Sequence, residues 1–159
     1  MDLTEFHTII KPYLENKKVQ SMSQYMAHGK TNVLQHCYLV SRLSYKVCKV
    51  LRLKVDIYSV VVGAMLHDFY LYDWHIEDPK HKWHGRTHGE TAFKNARELF
   101  VLNKKIQNIM ESHMWPESKI CPRYFESIVV SICDKCSASW ELIGRFEPRL
   151  PFVEEILNK

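Results

Sequence analysis

Nine histidines stand in this chain of 159 residues, and six of them fall between His67 and His113. One is joined directly to a carboxylate, in the pair His67-Asp68. Imidazoles and carboxylates bind divalent cations and move protons near neutral pH, so their positions on local elements matter. His36 shares a helical face with Leu39, Leu43, Val47 and Val50. His67 follows Val60 and Ala64 at helical spacing, and Asp68 follows Val61, Ala64 and Met65. His88 opens a face continued by Ala92, Ala96 and Leu99, while His113 follows Ile106, Ile109 and Met110. Asp134 lies with Val130 and Ala138, among the small Ser127 and Ser131.

A single histidine on such a face is ordinarily a hydrogen-bonded core residue. Six polar residues on apolar or close-packed faces need another account. A buried carboxylate without a partner is strongly unfavourable, and neither Asp68 nor Asp134 has an Arg or Lys on its own face. A divalent cation between the carboxylates removes that difficulty, and neutral imidazoles complete its shell. Four histidines and two carboxylates are too many for one tetrahedral ion, but suit two ions sharing a carboxylate. Iron, manganese, nickel, cobalt or zinc could occupy such a site. Two divalent ions against two carboxylates leave a positive pocket that favours a phosphate group.

Those side chains must be carried by helices. Periodicity predicts an amphipathic helix over about Leu3–Glu15 and a short one near Val19–Met26. Gly29-Lys30-Thr31 then interrupts the chain, with Thr31 or Asn32 placed to cap a long helix through Leu51. Asp56 caps the next, to about Phe69. From Tyr70 to Thr87 the pattern lapses into a polar, aromatic loop of a length that is often functional. Helical spacing resumes at Gly89–Phe100, Asn103–Met114 and Pro122 to about Gly144, with Pro116, Pro122, Pro148 and Pro151 punctuating the ends. Nothing reads as a strand pair. The expected architecture is an all-α helical bundle forming a single domain over 1–159, with its motif-bearing core at about 31–144.

Composition narrows the class. With 46% apolar and 25% charged residues, a chain of this length can bury one core without disulfides or structural metal. No segment reaches the length of an apolar membrane span, and Met1 to Lys18 lacks the apolar run of a signal peptide. Five cysteines, an odd number without framework spacing, read as reduced thiols of a cytoplasmic protein. A net charge of +4 is compatible with an anionic small substrate, and no basic run or RNA-binding signature points to a stable nucleic-acid partner. The oligomeric state is open, with a homodimer among the options.

The pair in AMLHDF resembles the signature of the HD superfamily of metal-dependent phosphohydrolases. The order His36, His67-Asp68, then Asp134 in SICDK is similar to its H…HD…D pattern. His88 in THGETA and His113 in ESHMWP resemble the extra ligands of its dinuclear members, which include diadenosine tetraphosphate hydrolases and HD-GYP phosphodiesterases. The resemblance covers about residues 31 to 144. It implies an HD-type all-α fold and a dinuclear site bridged by Asp68. His36, His67 and Asp134 would complete one half, and His88 with His113 the other. It also implies hydrolysis by a metal-bound hydroxide of a phosphate ester or anhydride, in a nucleotide or related small metabolite. Many dinuclear relatives carry a lysine three residues after the HD aspartate, where this chain has Leu71. Lys135, Arg86 and Lys82 are candidates to replace that cation. Lys135 and Arg86 are favoured as catalytic charge stabilisers and, with Lys82 and His84, as substrate contacts.

Two other functions use the same ligand set: a mixed-valence di-iron oxygenase, and a catalytically silent nucleotide-binding protein. Of the remaining features, Cys133-x-x-Cys136 brackets Asp134 but lacks a second pair and reads as helix packing. His75, His81 and His84, with Trp74 and Trp83, form a loop that is either solvated or a lid over a base or phosphate. His28-Gly29-Lys30 precedes the helix of His36, near an end where anions can bind.

Overall fold

The computed structural model describes residues 2–76, 78–79, 82–143 and 153; His81, Gly144, Pro148 and Pro151 lie outside the described residues. Helix α1 (Thr4–Leu14) turns Phe6, Ile10, Tyr13 and Leu14 inward. The short α2 (Lys17–Gln20) starts at Asn16, whose side chain accepts the backbone N–H of Lys18 at 2.9 Å, and runs into a 3-10 turn at Ser21–Gln24. The expected helix at Val19–Met26 is therefore broken, because the chain becomes extended at Tyr25 and Met26.

A small antiparallel hairpin follows, β1 (Met26–His28) with β2 (Thr31–Asn32), where no strand pair was expected. Gly29 makes its turn at φ +58°. Asn32 then opens α3 (Val33–Val50) with a reciprocal cap: its side chain accepts from Gln35 N at 2.9 Å, and its own N–H donates to Gln35 Oε1 at 3.1 Å.

Asp56 caps α4 (Ile57–Leu66), and every residue from Ser59 to Leu66 is buried. This helix is the centre of the bundle, packed against α1, α3, α6 (Lys104–Ser112) and α7 (Phe125–Leu142). It stops three residues before the expected Phe69, and His67 to Tyr70 form a turn. Asn103 caps α6 through Ile106 N at 2.9 Å.

Helix α5 (His84–Ala96) starts five residues earlier than its periodicity suggests, so His84 and Arg86 sit on its first turn rather than in the loop. It has no side-chain cap, and the carboxylate of Glu117 lies beside Gly85. Val50 and Leu99, assigned to inward faces by periodicity, are exposed at helix ends.

Two apolar clusters divide the interior. The larger joins α1, α3, α4 and α5 around Phe6, Leu34, Met65 and Phe69, and the smaller joins α3, α4, α6 and α7 around Val40, Ile109 and Val130. Cys133 packs into the smaller cluster and Cys136 is exposed, and all five cysteines are free. Among the described residues, no helix is long and apolar enough to cross a membrane.

Candidate metal centre

Three helices and two helix ends converge on one buried point. His36 comes from the first turn of α3, His88 from α5 and Asp134 from the middle of α7. His67 and His113 occupy equivalent positions just past α4 and α6, with the same backbone angles of φ −58° and ψ −31°. Each folds its ring back onto its own helix: His67 Nδ1–H donates to the Ala64 carbonyl, and His113 Nδ1–H to that of Met110, both at 2.7 Å. His88 Nδ1–H does the same to the His84 carbonyl at 2.8 Å. Because a carbonyl only accepts, Nδ1 carries the proton in all three rings and Nε2 is left to face the centre.

The six side chains form two groups that could each hold a metal ion. In the first are His36, His67 and Asp134, with Asp134 Oδ1 3.0 Å from His36 Nε2 and 3.5 Å from His67 Nε2. The second contains Asp68, His88 and His113, with Asp68 Oδ1 at 3.1 Å and 3.5 Å from the two Nε2 atoms. The other oxygen of Asp68 faces the first group, 3.6 Å from His67 and 4.0 Å from His36. One carboxylate thus presents one oxygen to each group. The thiol of Cys37 lies close to His67 and Asp68.

A cation fits these donors. His67 Nε2 and Asp68 Oδ1 are buried and make no hydrogen bond, although imidazole and carboxylate atoms stand near both. His88 Nε2 and His113 Nε2 approach to 2.7 Å with their Nδ1 protons already donated elsewhere. Two lone pairs meeting at that distance repel unless a proton or a metal ion lies between them.

The electrostatics keep both carboxylates charged. Burial alone would raise Asp68 and Asp134, yet Asp68 is held well below the usual carboxylate range by His67, His88 and His113, and Asp134 by His36 and His67. Burial pushes His113 down to about 3, helped by the neighbouring His88 and His67. Burial also lowers His36, but hydrogen bonds to Asp134 and Glu141 outweigh it and raise the ring to about 10.

Glu141 is the residue that periodicity does not reveal. It lies two turns beyond Asp134 on α7, is buried, and accepts from His36 Nδ1–H at 2.9 Å and from Ser137 Oγ at 2.8 Å. It therefore orients His36 as main-chain carbonyls orient the other three rings. The hairpin supports this arrangement. Its Gly29 turn lies against the Glu141 carbonyl, where a side chain would collide, and His28 meets His36 edge-on with ring centroids 5.0 Å apart.

A cleft of about 390 Å³ opens from the convergent side chains, lined by His28, Tyr70, Trp74, His84, Lys135 and Leu142 among others. His84 stacks between Trp74 and His88, with ring centroids at 5.3 and 4.4 Å, and its Nδ1 is 2.8 Å from Tyr72 Oη. Lys135 Nζ donates to the His113 carbonyl at 2.8 Å and to Ser131 Oγ at 2.7 Å, so this cation at the cleft also braces His113. Arg86 and Lys82 are not brought to the cleft. They line an adjoining cavity that shares Trp74, His84 and Gly85 with it, and both lie over the ring of Trp83. Leu71 packs toward the larger core cluster at φ +60°.

A family model described as HD domain matches residues 33–139. The match spans α3 to α7 and contains every one of the six convergent side chains. No curated protein and no solved structure matches the chain.

Proposed function

Because this chain belongs to the HD-domain family, we propose that it is a phosphohydrolase dependent on two divalent transition-metal ions, acting on a phosphate ester or anhydride of a nucleotide or related small metabolite. The observation that carries this reading is the placement of Asp68 between two donor groups, one oxygen toward each. His36, His67 and Asp134 would hold one ion, His88 and His113 the other, and Asp68 would join them. Bound there, the ions would lower the pKa of coordinated water and polarise the phosphoryl oxygens.

The chain's own residues supply the rest. Glu141 and the carbonyls of Ala64, His84 and Met110 keep every Nε2 aimed inward. Lys135 offers a positive charge at the cleft where the phosphate would sit. Trp74 and His84 form an aromatic wall between cleft and adjoining cavity, along which the organic part of the substrate would lie. Arg86 and Lys82 would then meet the distal part of a longer substrate rather than the reacting group.

The test is an anaerobic assay of the manganese- or nickel-loaded protein on nucleoside mono- and polyphosphates, dinucleoside polyphosphates and cyclic nucleotides. Hydrolysis that persists without oxygen and is lost in His67→Ala supports the reading. A second reading, oxidative cleavage at a di-iron centre, is favoured by the apolar walls of Ala27, Tyr70, Met114 and Leu142 and by Leu71 in place of a cation. Inactivity on every phosphate, with oxygen uptake by the iron form on an alcohol or organophosphonate, would select it.

A further inference from the structure

The outer face of α7 takes no part in the metal centre. Phe125, Ile128, Ile132, Cys136, Trp140 and Ile143 recur there at helical spacing, and all are exposed. The first five border an apolar groove of about 420 Å³, closed on its other side by Val47 and Leu51 at the end of α3, with no charged side chain in its lining. Leu51 and the five large apolar residues of the stripe are between 42% and 63% exposed. At on the order of 200 Å² for a whole large apolar side chain, they show roughly 650 Å² to solvent. That exceeds the roughly 300–600 Å² of the largest patch on an ordinary monomer and approaches the roughly 800 Å² that each partner contributes to a standard interface. Val153, the described residue beyond Ile143, is buried in the larger core cluster rather than over this groove.

The spacing of the stripe fits a second copy of this chain. Ile128 and Cys136 stand four residues either side of Ile132, and Phe125 and Trp140 stand seven and eight residues away. The pattern is close to palindromic about Ile132. Two copies of such a face paired antiparallel about Ile132 bring apolar positions opposite one another along the whole stripe, since each contact occurs twice in reverse. We propose that this face is the twofold interface of a homodimer, in which α7 packs antiparallel on α7 of a second copy. Ile132 meets its own copy at the axis, Ile128 meets Cys136, and Phe125 meets Trp140. Exposed turns of one helix fill the groove beside the other, as ridge-in-groove packing requires.

Sedimentation equilibrium of the full chain at tens of micromolar, with bound metal undisturbed, should give a dimer. Ile132→Asp should raise its Kd by at least about tenfold while leaving helical content and metal content unchanged. The register is tested separately, without a destabilising charge. Under mild oxidation Ile128→Cys should form a disulfide-linked dimer through Cys136 of the other copy, and the Ile128→Cys, Cys136→Ser double variant should not. A monomeric wild type would overturn the proposal, whether the groove is covered by a different protein or by this chain. A dimer insensitive to Ile132→Asp and unlinked in Ile128→Cys would overturn it too. If Ile132→Asp does not fold, the disulfide pair decides.

Discussion

The chemistry of the centre rests on two carboxylates that act differently. Asp134 turns one oxygen to His36 and His67, while Asp68 divides its oxygens between the two groups. Asp68→Asn keeps the shape and removes the charge that both groups share. It should cut affinity for metal at least about tenfold, since even changes behind a ligand cost 10–100-fold. Elemental analysis with circular dichroism checks this: full metal content in the folded variant would remove Asp68 from the bridging role proposed for it. Glu141 acts one step back, through His36. Glu141→Gln retains an oxygen acceptor but no charge, so metal affinity should fall by about 10–100-fold while helicity is kept. A competition titration against a chromophoric chelator measures the loss, and Glu141→Asp should recover part of it. The six inward residues were legible because each interrupts an apolar periodicity. Glu141 was not, because its partner His36 lies 105 positions away and no local pattern separates a buried glutamate from a solvated one.

Helix contacts set the distances between those residues. The carbonyl of Met110 lies where a Cβ on Gly89 would be, so α5 and α6 meet without a side chain between them, beside the His88–His113 contact. Gly89→Ala should force the helices apart at a cost of about 1–3 kcal/mol and weaken metal uptake by the Asp68, His88 and His113 group. Calorimetry and a stepwise metal titration check both effects, and wild-type stoichiometry with wild-type affinity would show that this approach does not set the pair. At the opposite end, Glu126 on the first turn of α7 accepts from Asp56 N at 2.9 Å and Lys105 Nζ at 2.7 Å, tying α7 to the starts of α4 and α6. Burial pushes Glu126 up, but these bonds dominate and hold it below its ordinary value. A carboxyl depressed in the folded state contributes stability above its unfolded pKa of about 4.5, and that contribution disappears as pH falls through the lower folded value. Glu126→Gln should therefore lose about 1–2 kcal/mol at pH 7 and show a flatter stability profile below about pH 4.5 in denaturant titrations. Among the elements, capped helices were readable: Asn32, Asp56 and Asn103 all announce their starts. The start of α5 was hidden because no side-chain cap announces it. The hairpin was hidden because strands of three and two residues are too short to show a period.

At the scale of the whole molecule, periodicity shows which faces are buried but not which faces meet. His36 and Asp134 are 98 residues apart, and their 3.0 Å approach is a product of assembly rather than of either helix. The convergent side chains come from α3, the turn after α4, α5, the turn after α6, and α7, so an ion held by them would tie together every long helix among the described residues except α1. In the unfolded chain those donors are scattered and bind weakly. Metal should therefore stabilise the fold by the full linkage amount, about 4 kcal/mol when free metal is a thousandfold above its Kd. For a chain of this length that corresponds to a Tm difference of about 8–16 °C between loaded and chelated protein. The loss should be reversible on returning manganese or nickel. It should shrink in Asp68→Asn, which would separate binding at this centre from adventitious binding to exposed histidines such as His75. Identical melting curves with and without chelator, on protein whose metal content has been verified, would show that the five segments are held by packing alone and that the convergent side chains bind no ion tightly enough to matter.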